Sequence, residues 1–297
     1  MSVRQPWRLH PGTISRAFLP PAPLRQHLVC VIERDTRGCD LHPLQAFTYG
    51  PATPNMSITW LWQGQTERLL EWRPDDLQAP RERLNTSILI RGGTTKPWIT
   101  YSEEPLHALI AVFRPNALHH LFGLKPSEWM DQLQPLEACK LDPAWVRWAR
   151  QILAVQSSSA ALPLLYAGLE RQLASDLSSG PHPELANRWL TRLENLAGNR
   201  SQRTLQRWIK QQTGTTARQL DRFIRFEQLG LVVGNVFNNQ QRQVPQADLA
   251  ASTGFSDQSH MAREVKHALG FSVGDGLRRF FLYESFWLFR TKLRLHR

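Results

Sequence analysis

Cysteine is nearly absent from this 297-residue sequence. Cys30, Cys39 and Cys139 are odd in number and lack metal-type spacing, which excludes a disulfide framework or a zinc ribbon. Free thiols in a reducing cytoplasm are the expectation. Long apolar runs are missing too. Nothing approaches the ~18 uninterrupted apolar residues of a membrane span, so no membrane partner is expected. Residues Met1 to Leu19 lack a continuous apolar core behind a basic start, so no signal peptide is expected. There is no His-x-Glu with Cys-x-x-Cys, no His-Glu-x-x-His, no phosphate loop and no Gly-x-Ser-x-Gly. Accordingly no catalytic residue, cofactor or metal site is expected, and the chain does not read as an enzyme. His119-His120 are adjacent, so on a helix they point ~100° apart and do not suit one ion.

Positive charge is what the chain has in excess. Lys and Arg number 36 against 25 Asp and Glu, a formal charge of +11. From Glu184 onward the balance is +9, and before it only +2. A basic C-terminal part beside a balanced N-terminal part suggests that the former meets a polyanion.

The most informative stretch lies in the basic part, Ala247-Asp-Leu-Ala-Ala-Ser-Thr-Gly-Phe-Ser-Asp-Gln-Ser-His-Met-Ala-Arg-Glu-Val-Lys266. It predicts a helix, a tight turn and a second helix. Gly254 supplies left-handed backbone for the turn, and Phe255 fills the space between helices. Ser256 is placed to cap the second helix, with Asp257 in its first turn. Met261, Val265 and Leu269 face inward, while Ser259, Arg263 and Lys266 face out. One such pattern is equally explained by two helices packed for stability alone.

A related pattern occurs upstream. In Ser201-Gln-Arg-Thr-Leu-Gln-Arg-Trp-Ile-Lys-Gln-Gln-Thr-Gly214, Ser201 suits an N-cap and Gly214 a stop. Leu205, Trp208 and Ile209 form an apolar side, and Arg203, Gln206, Arg207 and Lys210 a polar one. A helix over about 184–197 precedes it. A longer helix over about 217–237 joins the motifs, and the polar run 238–245 reads as a loop.

With these residues in order, the stretch from about Glu184 to Phe281 resembles the DNA-binding domain of the AraC/XylS family of bacterial transcription regulators. The marks are Ser201-x-Arg203-Thr-Leu-Gln-Arg207, Lys210, Thr213-Gly214, Arg222-x-x-Arg225-Phe226, and then Ala247 through Lys266 and Gly270-Phe-Ser272. The turn Gly198-Asn-Arg-Ser201 is one residue longer than the family's. Val273 stands where Pro is common, and Met261 and Val265 replace usual aromatics. The resemblance implies a sequence-specific regulator that places two recognition helices, about 201–213 and 257–269, in successive major-groove segments of double-stranded DNA. It implies base-edge roles for Arg203, Gln206, Arg207, Ser259, His260 and Arg263, with Gln258 as a further candidate. Lys210 and Lys266 are implied phosphate contacts. Arg218, Arg222, Arg225 and Arg242 could add more. Gly214 and Gly254 are the structural turns.

The N-terminal half predicts strands at 28–33, 47–49, 56–62, 66–72, 86–91, 97–101 and 106–113, separated by turn residues. Residues 1–27 read as irregular. Pro115–Gly123 predicts a short helix, and 142–179 a helical stretch. Pro20 to Glu137, especially Val112-Phe-Arg-Pro-Asn-Ala, Phe122-Gly and Leu133-Gln-Pro-Leu136, loosely resembles the N-terminal domain of one AraC-family subgroup. That resemblance implies effector sensing and dimerisation. The expected class is α+β: a β-rich barrel or sandwich followed by helices, then an all-α domain with two helix-turn-helix motifs. The expected boundaries are 1–140 for the sensory domain, 141–180 for a helical linker and dimerisation region, and 181–297 for the DNA-binding domain. Candidate partners are DNA, a small-molecule effector of unknown identity, RNA polymerase and a second copy of the chain. The alternative is a DNA-tethered enzyme or an interaction protein whose N-terminal half carries the main activity. Tyr49, Trp60, Trp62, Trp72, Trp98, Tyr101 and Phe113 suit a core better than a pocket, because alternation turns half of any strand inward. The aromatic tail from Leu277 carries Leu282, Phe286, Phe289 and Leu293 as one helical stripe, read first as packing on the DNA-binding domain, with a subunit contact or a membrane-surface helix as alternatives.

Overall fold

The computed structural model describes residues 6–176, 202–238 and 246–293. Ten strands form two antiparallel sheets. β1 (Ile14–Phe18), β2 (Leu28–Asp35), β9 (His107–Phe113), β4 (Met56–Gln63), β7 (Ile88–Arg91) and β10 (Leu133–Pro135) lie side by side in that order. β3 (Phe47–Gly50), β8 (Trp98–Tyr101), β5 (Glu67–Leu69) and β6 (Arg81–Arg83) form the second sheet. β-Branched and aromatic residues dominate the long strands, and alternation, interrupted by irregularities at Leu28–Cys30 in β2 and Leu61–Gln63 in β4, gives each sheet two distinct faces.

The outer face of the six-stranded sheet carries Val31, Met56, Ile58, Trp60, Ile88, Ile90, Leu109, Ala111 and Phe113. It is covered by α1 (Pro115–Phe122), α3 (Pro143–Ala154) and α4 (Ser158–Asp176), whose Leu118, Trp145, Trp148, Ile152, Leu165 and Leu169 complete one core. Trp60 Nε1 donates to the Ala149 carbonyl at 2.9 Å, so this large ring is buried without an orphaned donor. α1 starts on Pro115 and stops on left-handed Gly123. The short α2 (Pro126–Trp129) follows.

The outer face of the four-stranded sheet carries Phe47, Tyr49, Leu69, Ile99 and Tyr101. It is covered by the C-terminal helices through Phe271, Phe280, Tyr283 and Phe286. Those helices are α5 (Gln202–Thr213), α6 (Ala217–Asn238), α7 (Gln246–Ser252), α8 (Gln258–Leu269), α9 (Val273–Leu282) and α10 (Trp287–Leu293). Between the sheets, Cys30, Ile32 and Val112 pack with Trp287 and Leu288. The α+β architecture expected from the sequence is therefore present, with helices following a two-sheet N-terminal part.

Several local expectations are corrected. Residues 14–18, read as irregular, form β1, an edge strand paired only with β2. β6 and β10 were not anticipated, and β5 is shorter than the predicted 66–72. The tail is not one helical stripe. Tyr283 is extended (φ −97°, ψ 131°) and breaks the helix, leaving Leu282 exposed and Phe286 buried. The tail packs on the N-terminal sheets as well as on the helices. The helix expected at 184–197 and its turn to Ser201 lie outside the described residues, as do most of the 238–245 loop and Arg242.

Candidate nucleic-acid interface

The second helix pair and the recognition helix of the first are built as their glycines predict. Gly214 ends α5 at φ 72°, and Gly254 turns α7 into α8 at φ 73°. α8 is capped at its start by Asp257, whose carboxylate accepts from the His260 N–H at 2.7 Å. This corrects the expected Ser256 cap: the Ser256 hydroxyl instead donates to Asp257 at 3.0 Å. Carboxylate is the stronger acceptor at a positive helix end. The His260 N–H and the Ser256 hydroxyl hold the Asp257 carboxyl below its ordinary pKa. Met261 and Val265 are buried inward, as are Leu249, Ala250 and Phe255. Ser272 caps α9 by accepting from the Asp275 N–H, so Val273 occupies the first helical position where the resembled family often has Pro.

The opposite faces are polar and open. On α5, Arg203, Gln206, Arg207 and Lys210 are exposed, while Ile209 is buried. On α8, Gln258, Ser259, Arg263 and Lys266 are exposed. Arg203, Arg207, Lys210, Arg263 and Lys266 have no ion-pair partner among the described residues. His260 differs. It is half-buried, hydrogen-bonded to Ser256 Oγ at 3.2 Å through Nδ1 and set edge-on to Phe255. Its ring is committed to holding the turn. Gln258 reaches Gln246 at 3.0 Å.

Two arginines of α6 serve the scaffold. Arg222 pairs with Glu264 of α8 at 3.0 Å, and Arg225 with Asp221 one turn back. Both are half-buried, which accounts for them without phosphate. Arg218 remains exposed.

Sequence reasoning missed how firmly the N-terminal part grips both helices. α5 packs on α1 and α2. A Cβ at Gly214 would press on the Pro126 carbonyl. The Ala52 N–H donates to the carbonyl of Ala268 in the last turn of α8 at 2.8 Å. The left-handed Gly270 that ends α8 lies so close under Trp72 that a Cβ would overlap the ring. Farther along, Arg279 binds Asp75 at 2.6 Å and Asp275 at 3.0 Å. The Tyr49 hydroxyl donates to Asp75 at 2.9 Å. Burial and the Asp75 carboxylate raise the Tyr49 pKa, so it stays a neutral donor. Arg34 and Glu284 form a buried ion pair at 2.7 Å. No local pattern announces contacts that span two hundred residues.

No protein-family model matches the sequence, and no curated protein matches it significantly. Among solved structures, an apo ToxT variant from Vibrio cholerae strain SCE256 aligns with 91% of this chain and 98% of its own, at 11% identity and a TM-score of 0.39. ToxT from Vibrio cholerae O395 aligns with 79% of this chain and 98% of its own, at 10% identity and a TM-score of 0.36. Likeness at this level assigns neither a family nor a ligand.

Proposed function

We propose that this chain is a sequence-specific DNA-binding regulator of the AraC/XylS type, reading successive major-groove segments with α5 and α8. The observation that carries the reading is the coincidence of two features on both helices. Each buries apolar side chains on one side (Ile209 on α5, with Leu205 and Trp208 half-buried; Met261 and Val265 on α8) beside a left-handed glycine, and each opposite side is exposed, basic and largely unpartnered. Arg203, Arg207 and Arg263 suit the O6 and N7 acceptors of guanine, and Gln206 those of adenine. Lys210 and Lys266, farther along each helix, suit phosphates. Gln258 and Ser259 stand at the start of α8, where a helix entering a groove meets base edges. His260 acts there through its hold on the turn. In this reading residues 1–140 sense an effector, 141–180 link and pair subunits, and 181–297 bind DNA. The tight packing of Trp72, Ala52 and Asp75 on α8 and α9 supports direct communication between sensing and reading. RNA polymerase and a second copy of the chain are the further partners of this reading.

The test is selection from a randomised duplex library, followed by anisotropy titrations across salt. A selected motif bound far more tightly than random duplex, with affinity falling steeply with salt, is the expected outcome. Binding without sequence preference, or none, would remove the reading.

A further inference from the structure

Alternation places a particular set of side chains between the two sheets. Where Met56, Ile58 and Trp60 face the covering helices, Ser57, Thr59 and Leu61 face inward. Where Ile88 and Ile90 face out, Leu89 and Arg91 face inward. Thr48, Trp98 and Thr100 face them from the other sheet. These residues line a cavity of about 110 Å³, completed by Ile110 and Val112 and by Trp287 and Leu288 of the C-terminal tail.

Arg91 is the anomaly. It is enclosed by protein, yet keeps some surface, which opens on the cavity. Its guanidinium lies 4.0 Å over the Trp98 ring. Among the described residues it has no hydrogen bond and no carboxylate partner. The charge that acts on it is that of Arg68, which repels, and Arg68 already has Glu82. Among the described residues no Asp or Glu lines the cavity. Burial, then Arg68, pull the Arg91 pKa down to about 10, which still leaves it charged at neutral pH. The stack is built in: Gly50 sits directly under the Trp98 ring, where any Cβ would overlap it.

A half-buried guanidinium that faces an interior cavity without an anion is costly, and proteins ordinarily pair it. The hydroxyls of Ser57, Thr59 and Thr100 are also without partners among the described residues. Leu61, Leu89, Ile110 and Val112 offer an apolar remainder. We propose that the space between the sheets binds a small organic carboxylate, its two oxygens on the Arg91 fork and its short apolar body against Leu61, Ile110 and Trp287. A planar fork matches a carboxylate in two parallel hydrogen bonds. The volume sets the size: a cavity of roughly 150 Å³ holds a benzene-sized guest, so this one suits an acid of a few carbons. The occupant touches Trp287, whose Nε1 donates to Thr48 Oγ1 at 3.0 Å and whose helix α10 leads back to α9 and α8. The site therefore lies against an element of the C-terminal part.

The assignment deepens the effector-sensing role proposed for residues 1–140 and rests on that part of the reading, not on DNA binding, so it is tested without DNA. The full chain is titrated with propionate, butyrate, inorganic phosphate and oleate, followed by thermal shift and calorimetry. Propionate or butyrate should raise Tm by about 3 °C or more near saturation. Arg91→Met should abolish that response, and Thr59→Val should weaken binding about three- to tenfold. Ligand-free Arg91→Met should melt at or above the wild-type Tm, because an unpaired half-buried charge has been removed. The proposal is overturned if no short acid binds, if Arg91→Met responds equally, or if phosphate or oleate alone shows an Arg91-dependent shift. A large drop in Tm for ligand-free Arg91→Met would also overturn it, since Arg91 would then be structural.

Discussion

Replacing Glu284 by Leu should destabilise the protein by about 3–5 kcal/mol. Both side chains of the Arg34–Glu284 pair are 3% exposed, which places it in the buried regime rather than among surface pairs worth under about 1 kcal/mol. Removing the carboxylate strands the guanidinium and also frees two other donors. The His10 N–H and the Thr13 hydroxyl each reach Glu284 at 2.9 Å. Arg34 keeps Ser15 Oγ at 2.8 Å and its position over Trp287 at 4.9 Å, neither of which neutralises it. Adding Arg34→Met should therefore restore roughly 2 kcal/mol or more, since both charges are then gone. Urea unfolding at neutral pH of the wild type, both single variants and the double variant closes the cycle. A loss below about 1 kcal/mol for Glu284→Leu, or a double variant no more stable than that single one, would refute the reasoning. Acid supplies an independent check. Burial alone would raise the Glu284 carboxyl, but Arg34 and the His10 N–H outweigh it, so it titrates below its ordinary value. Its contribution is then complete above the unfolded pKa of about 4.3 and is lost as pH falls through the lower folded value. The stability gap between wild type and Glu284→Gln should stay constant at neutral pH and narrow only below about pH 4.

Arg263→Ala should weaken specific DNA binding by ~1–3 kcal/mol and relax preference at one base step, read by repeating the library selection with the variant; an unchanged motif would count against a base contact. Lys266→Ala should weaken all duplexes alike and lower the salt slope by roughly one unit, measured by anisotropy. Gly270→Ala should cost about 1 kcal/mol for its left-handed backbone, plus more for overlap with Trp72, and Trp72→Ala should relieve only the second part. An equal loss of unfolding free energy on Gly270→Ala in the wild-type and Trp72→Ala backgrounds would show that the ring yields freely.

The helices α5, α7 and α8 are legible in the sequence because their signals are local. Gly214 and Gly254 stop helices wherever they fold, and Met261 and Val265 declare an inward face by spacing alone. Long strands such as β4 and β9 were legible by alternation. β1 was not, because Ile14-Ser-Arg-Ala-Phe18 is an edge strand with Ile14 and Arg16 exposed, and its order comes from β2. The cap of α8 was misread by one residue, since Ser256 and Asp257 both suit the role and only geometry chooses. Arg91 reads in sequence as an ordinary strand end. Its isolation arises from what β3, β4, β8 and β9 place around it, none of them adjacent in sequence.

The Leu9 N–H donates to the Leu282 carbonyl at 3.1 Å, and the Glu284 N–H to the Trp7 carbonyl at 2.9 Å, with Trp7 stacked on Tyr283. These partners are far apart in the chain, and the contacts of Trp7 and Leu9 with 282–284 form only once both segments are made, whereas the Gln45 side chain already donates to the Arg8 carbonyl at 2.6 Å. Closing so long a loop comes late and is entropically slow. Until the C-terminal helices dock, Phe47, Tyr49 and Tyr101 lack the apolar cover that Phe271, Phe280 and Phe286 give them in the folded chain.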